Sequence, residues 1–153
     1  MAEQTKIATG DRRAWLGLLA RAPAEALAAL WSDYGARPEF QWLRTPEIGG
    51  VMVRGRAGGT GAPFNLGEMA VTRCALVLAD GTEGHGYVQG RDKTHAETAA
   101  LIDALMQTGH ADAVRAKILE PLTRQVQAAR SARAAKAAAT KVEFFTMVRG
   151  EDQ

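Results

Sequence analysis

A polar junction that runs into an apolar helix is the feature that most constrains the fold of this chain. The segment Gly90–Glu97 is rich in charged and polar residues, and it leads directly into the apolar run Thr98–Met106. Thr94 and Glu97 have the spacing of a capping box, in which each side chain accepts a hydrogen bond from the other residue's backbone N–H. This pattern predicts a helix that starts at Thr94 and buries one broad face. The chain before it predicts a sheet, and the chain after it predicts helices and an apolar tail.

Three basic side chains lie at this junction: Arg91, Lys93 and His95. The N-terminus of a helix presents free N–H groups and the positive end of the helix dipole, which attract anions. The sequence therefore predicts that these three side chains are displayed for contact with an anion or with acidic groups of a partner.

The first ninety residues predict an α+β fold. Leu27, Leu30, Trp31 and Tyr34 recur at helical spacing, which predicts an N-terminal helical hairpin with its aromatic residues in the core. From Pro38 the apolar period changes to two, and the turn signal Asp80-Gly81 predicts a β-hairpin. The pattern predicts an antiparallel four-stranded meander, with strands near residues 40–42, 51–56, 69–79 and 82–89.

Arginines and glycines within these strands raise two further expectations. Arg54, Arg56 and Arg73 are expected on the face of the sheet away from the core, where a solvated surface is favoured over a binding site. Gly84 and Gly86 lie inside a strand, which indicates either a bulge or the close approach of another backbone.

The C-terminal third predicts helices and an apolar tail. Pro121 is expected to interrupt a helix, and the alanine-rich stretch 122–140 is a strong helix former with little bulky surface to bury. The stretch 142–149 is among the most apolar of the chain. Such a tail is consistent both with docking on another subunit and with a last strand folded back on the home sheet.

Composition excludes several classes of function. A net charge of +2 does not demand a nucleic-acid partner, and no apolar run approaches the ~20 residues of a membrane helix. The N-terminus lacks the apolar core of a signal peptide, so we expect a cytoplasmic protein of one domain, residues 1–153. The single cysteine, Cys74, lies in an apolar strand pattern and is expected to be a buried, inert thiol.

The residues themselves do not suggest a self-contained enzyme. His95 and Glu97 are two apart on a helix and therefore point to different faces, and no metal-ligand spacing accompanies them. No nucleophile motif and no pair of carboxylates for acid–base chemistry can be picked out. The sequence predicts no intrinsic metal site and identifies no catalytic residue. It favours a subunit that contacts anions or organises a partner.

Several blocks of the sequence resemble the PhnG family, a subunit family of the bacterial carbon–phosphorus lyase core complex. The resemblance covers nearly the whole chain, including Arg12-x-x-Trp15 and Pro121-Leu122, and it departs most within 128–139. It rests mainly on five blocks: Gly58-Gly59-Thr60-Gly61, Asp80-Gly81-Thr82-x-Gly84, Gly90-Arg91-Asp92-Lys93-x-His95-Ala96-Glu97, the run 100–107 and Phe144-Phe145-Thr146-Met147-Val148-Arg149-Gly150.

This resemblance implies a reaction and a set of partners. PhnG-like proteins act with PhnI, PhnH and PhnL to displace adenine from MgATP by methylphosphonate, which gives α-D-ribose 1-methylphosphonate 5-triphosphate. They reside in a core assembly with PhnH, PhnI and PhnJ, two copies of each, and the nucleosidase chemistry is attributed mainly to PhnI. The resemblance implies no cofactor held by the chain itself, since MgATP and methylphosphonate are substrates of the assembly.

The resemblance also changes the weight of the earlier alternatives. Residues 122–153 are now expected to form a partner-docking helix and tail, with Phe144, Phe145, Met147 and Val148 as the docking side chains. Arg91, Lys93 and His95, with Arg54 and Arg56, become candidates for contact with a triphosphate, a phosphonate or acidic groups on PhnI. Two roles remain open: a subunit that contributes to the transferase site, and a purely structural scaffold for PhnI.

Overall fold

A computed structural model describes residues 9–142 and confirms the α+β class. Two helices come first, three strands follow, and a helical run ends the described chain. A short 3₁₀ turn, Ala57–Gly59, lies between the first two strands. The elements are α1 (Thr9–Arg21), α2 (Ala24–Tyr34), β1 (Phe40–Arg56), β2 (Pro63–Leu78), β3 (Glu83–Gln89), α3 (Lys93–Leu105), α4 (Ala111–Val114) and α5 (Glu120–Ala139).

The sheet is an antiparallel meander of three strands in the order β1-β2-β3. The expectation of four strands is wrong, because residues 40–42 and 51–56 belong to one continuous strand of 17 residues. Pairing with β2 shifts between Trp42 and Arg44 and again between Arg44 and Glu47. Such bulges bend a strand without ending it, and they hide its continuity from a period-two pattern.

The helix α3 packs directly onto β3 through a stripe of glycines and alanines. A Cβ atom at Gly84 would lie 2.1 Å from the carbonyl oxygen of Ala100, and one at Gly86 would lie 2.1 Å from that of Ala96. No side chain fits in that space, so the two backbones approach as closely as they do only because glycine occupies both positions. Of the two alternatives raised by these glycines, the close backbone approach is confirmed.

Two N-terminal helices form, and α2 contains the predicted stripe of Leu27, Leu30, Trp31 and Tyr34, but the helical hairpin is matched only in part. Gly35 ends α2 in the left-handed conformation, with φ 74°, and its N–H donates to the Trp31 carbonyl over 3.2 Å. The main packing partners of α1 are β3 and α3, and α2 packs on α3 and on the helical run that precedes α5. Both helices therefore cover α3 rather than mainly each other.

The C-terminal helical run passes through Pro121 without a break, in contrast to the expectation. A π-helical turn, Arg115–Leu119, connects α4 to α5, and the Glu120 N–H donates to the Arg115 carbonyl. In a regular α-helix the Pro121 ring would clash with the carbonyl four residues earlier, that of Lys117. The wider π turn relieves this clash, so the proline changes the winding of the helix instead of ending it.

Two parts of the chain extend away from the packed body. We call residues 50–70 the hairpin arm, because β3 pairs with β2 only as far as Val71. No residue of the arm is buried, and the same holds for residues 123–142, which form most of α5. The arm carries Met52, Phe64 and Leu66 with exposed side chains, and Ile48 is exposed at its base.

Candidate functional site

The N-terminus of α3 is capped by Asp92, two residues before the predicted cap. The Asp92 carboxylate accepts from the backbone N–H of His95 over 3.0 Å, and the helix starts at Lys93. The predicted capping box of Thr94 and Glu97 is therefore wrong. A short acidic side chain at this position already satisfies an N–H of the first turn and complements the helix dipole. The position where an anion was expected is thus occupied by the protein's own carboxylate.

His95 faces the interior and is not displayed, which corrects the predicted placement of this residue. Its side chain belongs to a residue that is only 6% exposed, and Nε2 lies 2.8 Å from the carbonyl oxygen of Leu19. A carbonyl only accepts, so Nε2 carries the proton and donates. The ring connects the end of α1 to the start of α3, and this use of Nε2 gives His95 a structural role.

Arg91 and Lys93 are exposed on the loop and first turn at this junction, as predicted. The cavity beside the start of α3 has a volume of about 160 Å³, and neither basic side chain lines it. Its ionisable lining includes the carboxylates of Glu25 and Asp92. A small anion gains no pocket here, so the two cations are placed for contact with a surface that approaches from outside.

The three arginines of the sheet do not share one face. Arg73 pairs across the strands with Glu47, and its Nε donates to the Glu47 carboxylate over 2.7 Å. Hydrogen bonds from Arg44 and Arg73 lower the pKa of Glu47. Alternation along β1 from Glu47 places Arg54 and Arg56 on the opposite face of the hairpin from Arg73. The expected common face fails because the register of β1 against β2 cannot be read from the separate strand patterns.

Arg54 and Arg56 are also distant from the junction at α3. Gly90 N donates to the Ala70 carbonyl, whereas Arg54 pairs with Asn65, five residues farther along β2. At ~3.3 Å per residue this is a separation of roughly 16 Å along the strand. The five candidate contact residues therefore form two separate sets, one at the junction and one on the hairpin arm.

A buried carboxylate that the sequence reading did not single out links the N-terminal helix to the rest of the body. Asp103 of α3 is fully buried, with 0% exposure. It accepts from Arg12 Nη2 over 2.7 Å, from Trp15 Nε1 over 2.9 Å and from the His85 backbone N–H over 2.9 Å. Arg12 Nε adds a fourth bond, at 3.1 Å. We call Asp103 with these donors the Asp103 latch.

The latch satisfies the charge of a group that is costly to bury alone. The hydrogen bond to Asp103 is the main cause of the raised pKa of Arg12. Full burial closes Asp103 to a substrate, and its role is to hold α1 against α3 and β3. One signal in the sequence indicated this contact: a carboxylate inside an apolar helical run needs a buried partner.

Cys74 is buried against Gly86 of β3, as predicted. Burial raises the pKa of its thiol to about 11 from an ordinary value of 9.0. The thiolate, which is the reactive form, is therefore disfavoured at neutral pH. This residue contributes packing.

Residues 9–142 contain no group of three or more His, Cys, Asp or Glu side chains arranged to hold a metal ion. Within the same range, no helix has the length and apolar character needed to cross a membrane.

The predicted docking side chains Phe144, Phe145, Met147 and Val148 lie outside the described residues.

Two comparisons with known proteins agree with each other. The family model described as phosphonate metabolism protein PhnG matches residues 10–150. A curated relative, the α-D-ribose 1-methylphosphonate 5-triphosphate synthase subunit PhnG of Rhizobium meliloti (strain 1021), is 45% identical over 142 residues. That alignment covers 93% of this chain and 91% of the relative.

Proposed function

This chain belongs to the PhnG family of phosphonate metabolism proteins, and from that premise we propose that it is a subunit of a ribose 1-methylphosphonate 5-triphosphate synthase. In this proposal it acts in the cytoplasm with PhnI, PhnH and PhnL. The assembly displaces adenine from MgATP by methylphosphonate and forms α-D-ribose 1-methylphosphonate 5-triphosphate. The core would contain PhnG, PhnH, PhnI and PhnJ, two copies of each.

The side chains support a subunit that is inactive alone. The buried ionisable side chains described in the structure are Asp103 and His95, with the Cys74 thiol. Asp103 and His95 are engaged in hydrogen bonds within the chain, and the Cys74 thiol has a raised pKa. These three side chains have structural roles, which supports the proposal that the reacting groups come from the partners.

The observation that carries the proposal is the unburied hairpin arm. A two-stranded ribbon on its own is at best marginally stable in water, and this one exposes Met52, Phe64 and Leu66. A relative named as a synthase subunit must contact other chains, and an apolar ribbon that leaves the body is suited to that contact. We propose PhnI as the chain that covers the arm.

The second element suited to this partner is α5 with its continuation. Residues 121–142 contain five basic side chains and no Asp or Glu: Arg124, Arg130, Arg133, Lys136 and Lys141. Beyond its acidic first residue, Glu120, α5 carries positive charge alone, which favours a partner surface of the opposite sign. We propose that α5 and the tail beyond it, with Phe144, Phe145, Met147 and Val148, dock on PhnI, and that Arg54, Arg56, Arg91 and Lys93 contact its acidic groups.

One observation favours the scaffold alternative over a direct contribution to the transferase site. The N-terminus of α3 is capped by Asp92, and the formally charged side chains that line the cavity next to it are the carboxylates of Glu25 and Asp92. A triphosphate would be repelled there. This observation supports the scaffold role as the second candidate function, in which the chain stabilises PhnI and places no residue at the reacting atoms.

Co-expression with tagged PhnI tests the subunit proposal. Size-exclusion chromatography measures assembly, and adenine release from ATP and methylphosphonate measures activity, with PhnH and PhnL supplied. We expect Met52→Ser/Leu66→Ser to reduce co-elution with PhnI at least tenfold, and a chain ending at Thr140 to reduce it as well. Arg13→Gln, an exposed change on α1, serves as the control and should leave both readouts unchanged. Wild-type chain that neither co-elutes with PhnI nor affects adenine release would overturn the proposal.

The double variant Arg91→Gln/Lys93→Gln separates the two roles. A lower rate of adenine release from an intact complex would place these side chains at the site. An unchanged rate, together with loss of assembly in the arm variant, would establish the scaffold role.

A further inference from the structure

A cleft at the C-terminal end of α3 combines a size suitable for a small molecule with an excess of basic side chains. It has a volume of about 480 Å³ and lies between the C-terminal end of α2 and the run from α4 into the π turn. Small-molecule sites commonly have volumes of 300–1,000 Å³ and mix apolar walls with a few polar groups. The polar lining comes from Tyr34, Arg37, His110 and Lys117, and Pro38 and Leu105 contribute apolar wall.

Two local features of the sequence form this cleft. Gly35 ends α2 with positive φ, which turns the chain so that Arg37 and Pro38 form one wall. On the other wall, Lys117 belongs to the π turn that Pro121 imposes, and its Nζ lies 5.9 Å from the centre of the Tyr34 ring. π turns within helices occur often at functional sites. Here the π turn carries Lys117, whose ammonium group lies over the ring of Tyr34 at the cleft.

The formally charged side chains that line the cleft, Arg37 and Lys117, are both positive. Its lining contains no carboxylate, although Asp33, Glu39 and Asp112 are close in sequence. Among residues 9–142, neither Arg37 nor Lys117 forms an ion pair. Arg37 Nη1 donates to the Ala36 carbonyl over 2.9 Å, which uses one of the five N–H groups of the guanidinium. Uncompensated cations along a concave wall raise the local concentration of anions.

We propose that this cleft binds the phosphate or phosphonate group of a small molecule. The planar donor fork of Arg37 matches such an oxyanion in two-point hydrogen bonds, and Lys117 adds a second cation. A multiply charged oxyanion gains from both cations, whereas a carboxylate carries a single charge. The ring of Tyr34 and the side chains of Pro38 and Leu105 give the organic part of the ligand an apolar surface. This inference does not depend on the partners proposed above.

Isothermal titration calorimetry on the full-length chain tests this site, with three probes used in turn: ATP, inorganic tripolyphosphate and methylphosphonate. We expect saturable binding of at least one probe, and at least tenfold weaker binding by Arg37→Gln/Lys117→Gln. Lys117→Arg keeps the charge and should retain binding, and Arg13→Gln removes a charge outside the cleft and should have no effect. Circular dichroism checks that each variant is folded.

The three probes distinguish the possible sources of the oxyanion. Equal binding of ATP and tripolyphosphate would identify a polyphosphate chain as the recognised group, and preferential binding of methylphosphonate would identify a phosphonate. The absence of saturable binding of all three would overturn the proposal. So would binding that the cleft variant leaves unchanged, or displacement of the probes by an acidic peptide that binds more tightly than any of them. Each readout is obtained without PhnI, so failure here is distinguishable from failure of the assembly proposal.

Discussion

The strand β2 passes through two different environments, and the contrast between them separates what this chain needs to fold from what it presents to others. At one end Leu76 is fully buried beneath α3, with 0% exposure, and at the other Leu66 is 67% exposed in the hairpin arm. Both residues are leucines in the same strand, and both segments pair with β1. The Leu76 segment pairs with β3 as well, whereas the arm has β1 as its neighbouring strand and Leu66 lies at a register shift between Val53 and Arg54. The two regions therefore differ in the second neighbouring strand and in the covering layer of helices.

This difference indicates that the packed body, and not the arm, supplies most of the free energy of unfolding. Burial of apolar surface contributes ~25 cal/mol per Å², which the body gains from α1, α2 and α3 and the arm does not. Conversely, the arm retains apolar surface that a partner can still bury. We expect changes in the body to act on the free energy of unfolding, and changes in the arm to act on assembly.

Substitution of Asp103 in the latch should have the largest effect on the free energy of unfolding. We expect Asp103→Ala to lower the free energy of unfolding by about 3–5 kcal/mol, because it leaves Arg12 and the Trp15 indole N–H without their buried partner. Urea unfolding followed by circular dichroism measures this loss. Asp33→Ala, at an exposed position on α2, should stay within about 0.5 kcal/mol of wild type. A loss below about 1 kcal/mol for Asp103→Ala would show that α1 does not depend on the latch.

Two matched leucine changes in β2 test the contrast directly. Leu76→Ala should cost about 2–5 kcal/mol, since it opens a cavity beneath α3. Leu66→Ala should stay within about 0.5 kcal/mol in the isolated chain, because water already reaches that side chain. Unfolding in urea gives both values. Equal losses at the two positions would mean that the arm is covered in the free protein.

The thiol of Cys74 gives a smaller effect that depends on pH. Its pKa is raised to about 11 in the folded state, against 9.0 ordinarily, so folding favours the neutral thiol. The stability that this preference contributes is complete below pH 9 and is lost as the pH rises to about 11. Relative to Cys74→Ala, the free energy of unfolding of wild type should therefore fall by on the order of 2 kcal/mol as the pH rises through this range. Urea unfolding at pH 8 and at pH 10.5 measures the difference, and parallel losses in both proteins would contradict it.

Local patterns in the sequence were sufficient for most elements of the body. The stripe that includes Leu27 and Trp31 correctly predicted α2. The glycines of β3 indicated either a bulge or a close backbone approach, and the close approach is the one found. The four-strand expectation was wrong because a bulged strand interrupts its own alternation. The cap of α3 was misplaced because Asp92 and Thr94 are both good cap residues, and the pattern alone does not rank them.

The candidate sites were less predictable, because they depend on contacts between distant parts of the chain. His95 was placed correctly on α3, but whether its ring faces solvent depends on Leu19 of α1. The cleft between α2 and the π turn joins Arg37 to Lys117, 80 residues apart, and no local pattern connects them. Residues beyond 142 carry the predicted docking tail, and that prediction stands as it was made.

The Asp103 latch also determines the order in which this protein is completed during translation. It joins residues 91 apart in sequence, so α1 leaves the ribosome long before its carboxylate partner has been made. At a typical rate of ~5–20 residues per second, the helix waits roughly 5–18 seconds for residue 103. α1, the first helix that the structure describes, is thus among the last to complete its contacts, and until then the Trp15 indole N–H lacks its acceptor on Asp103.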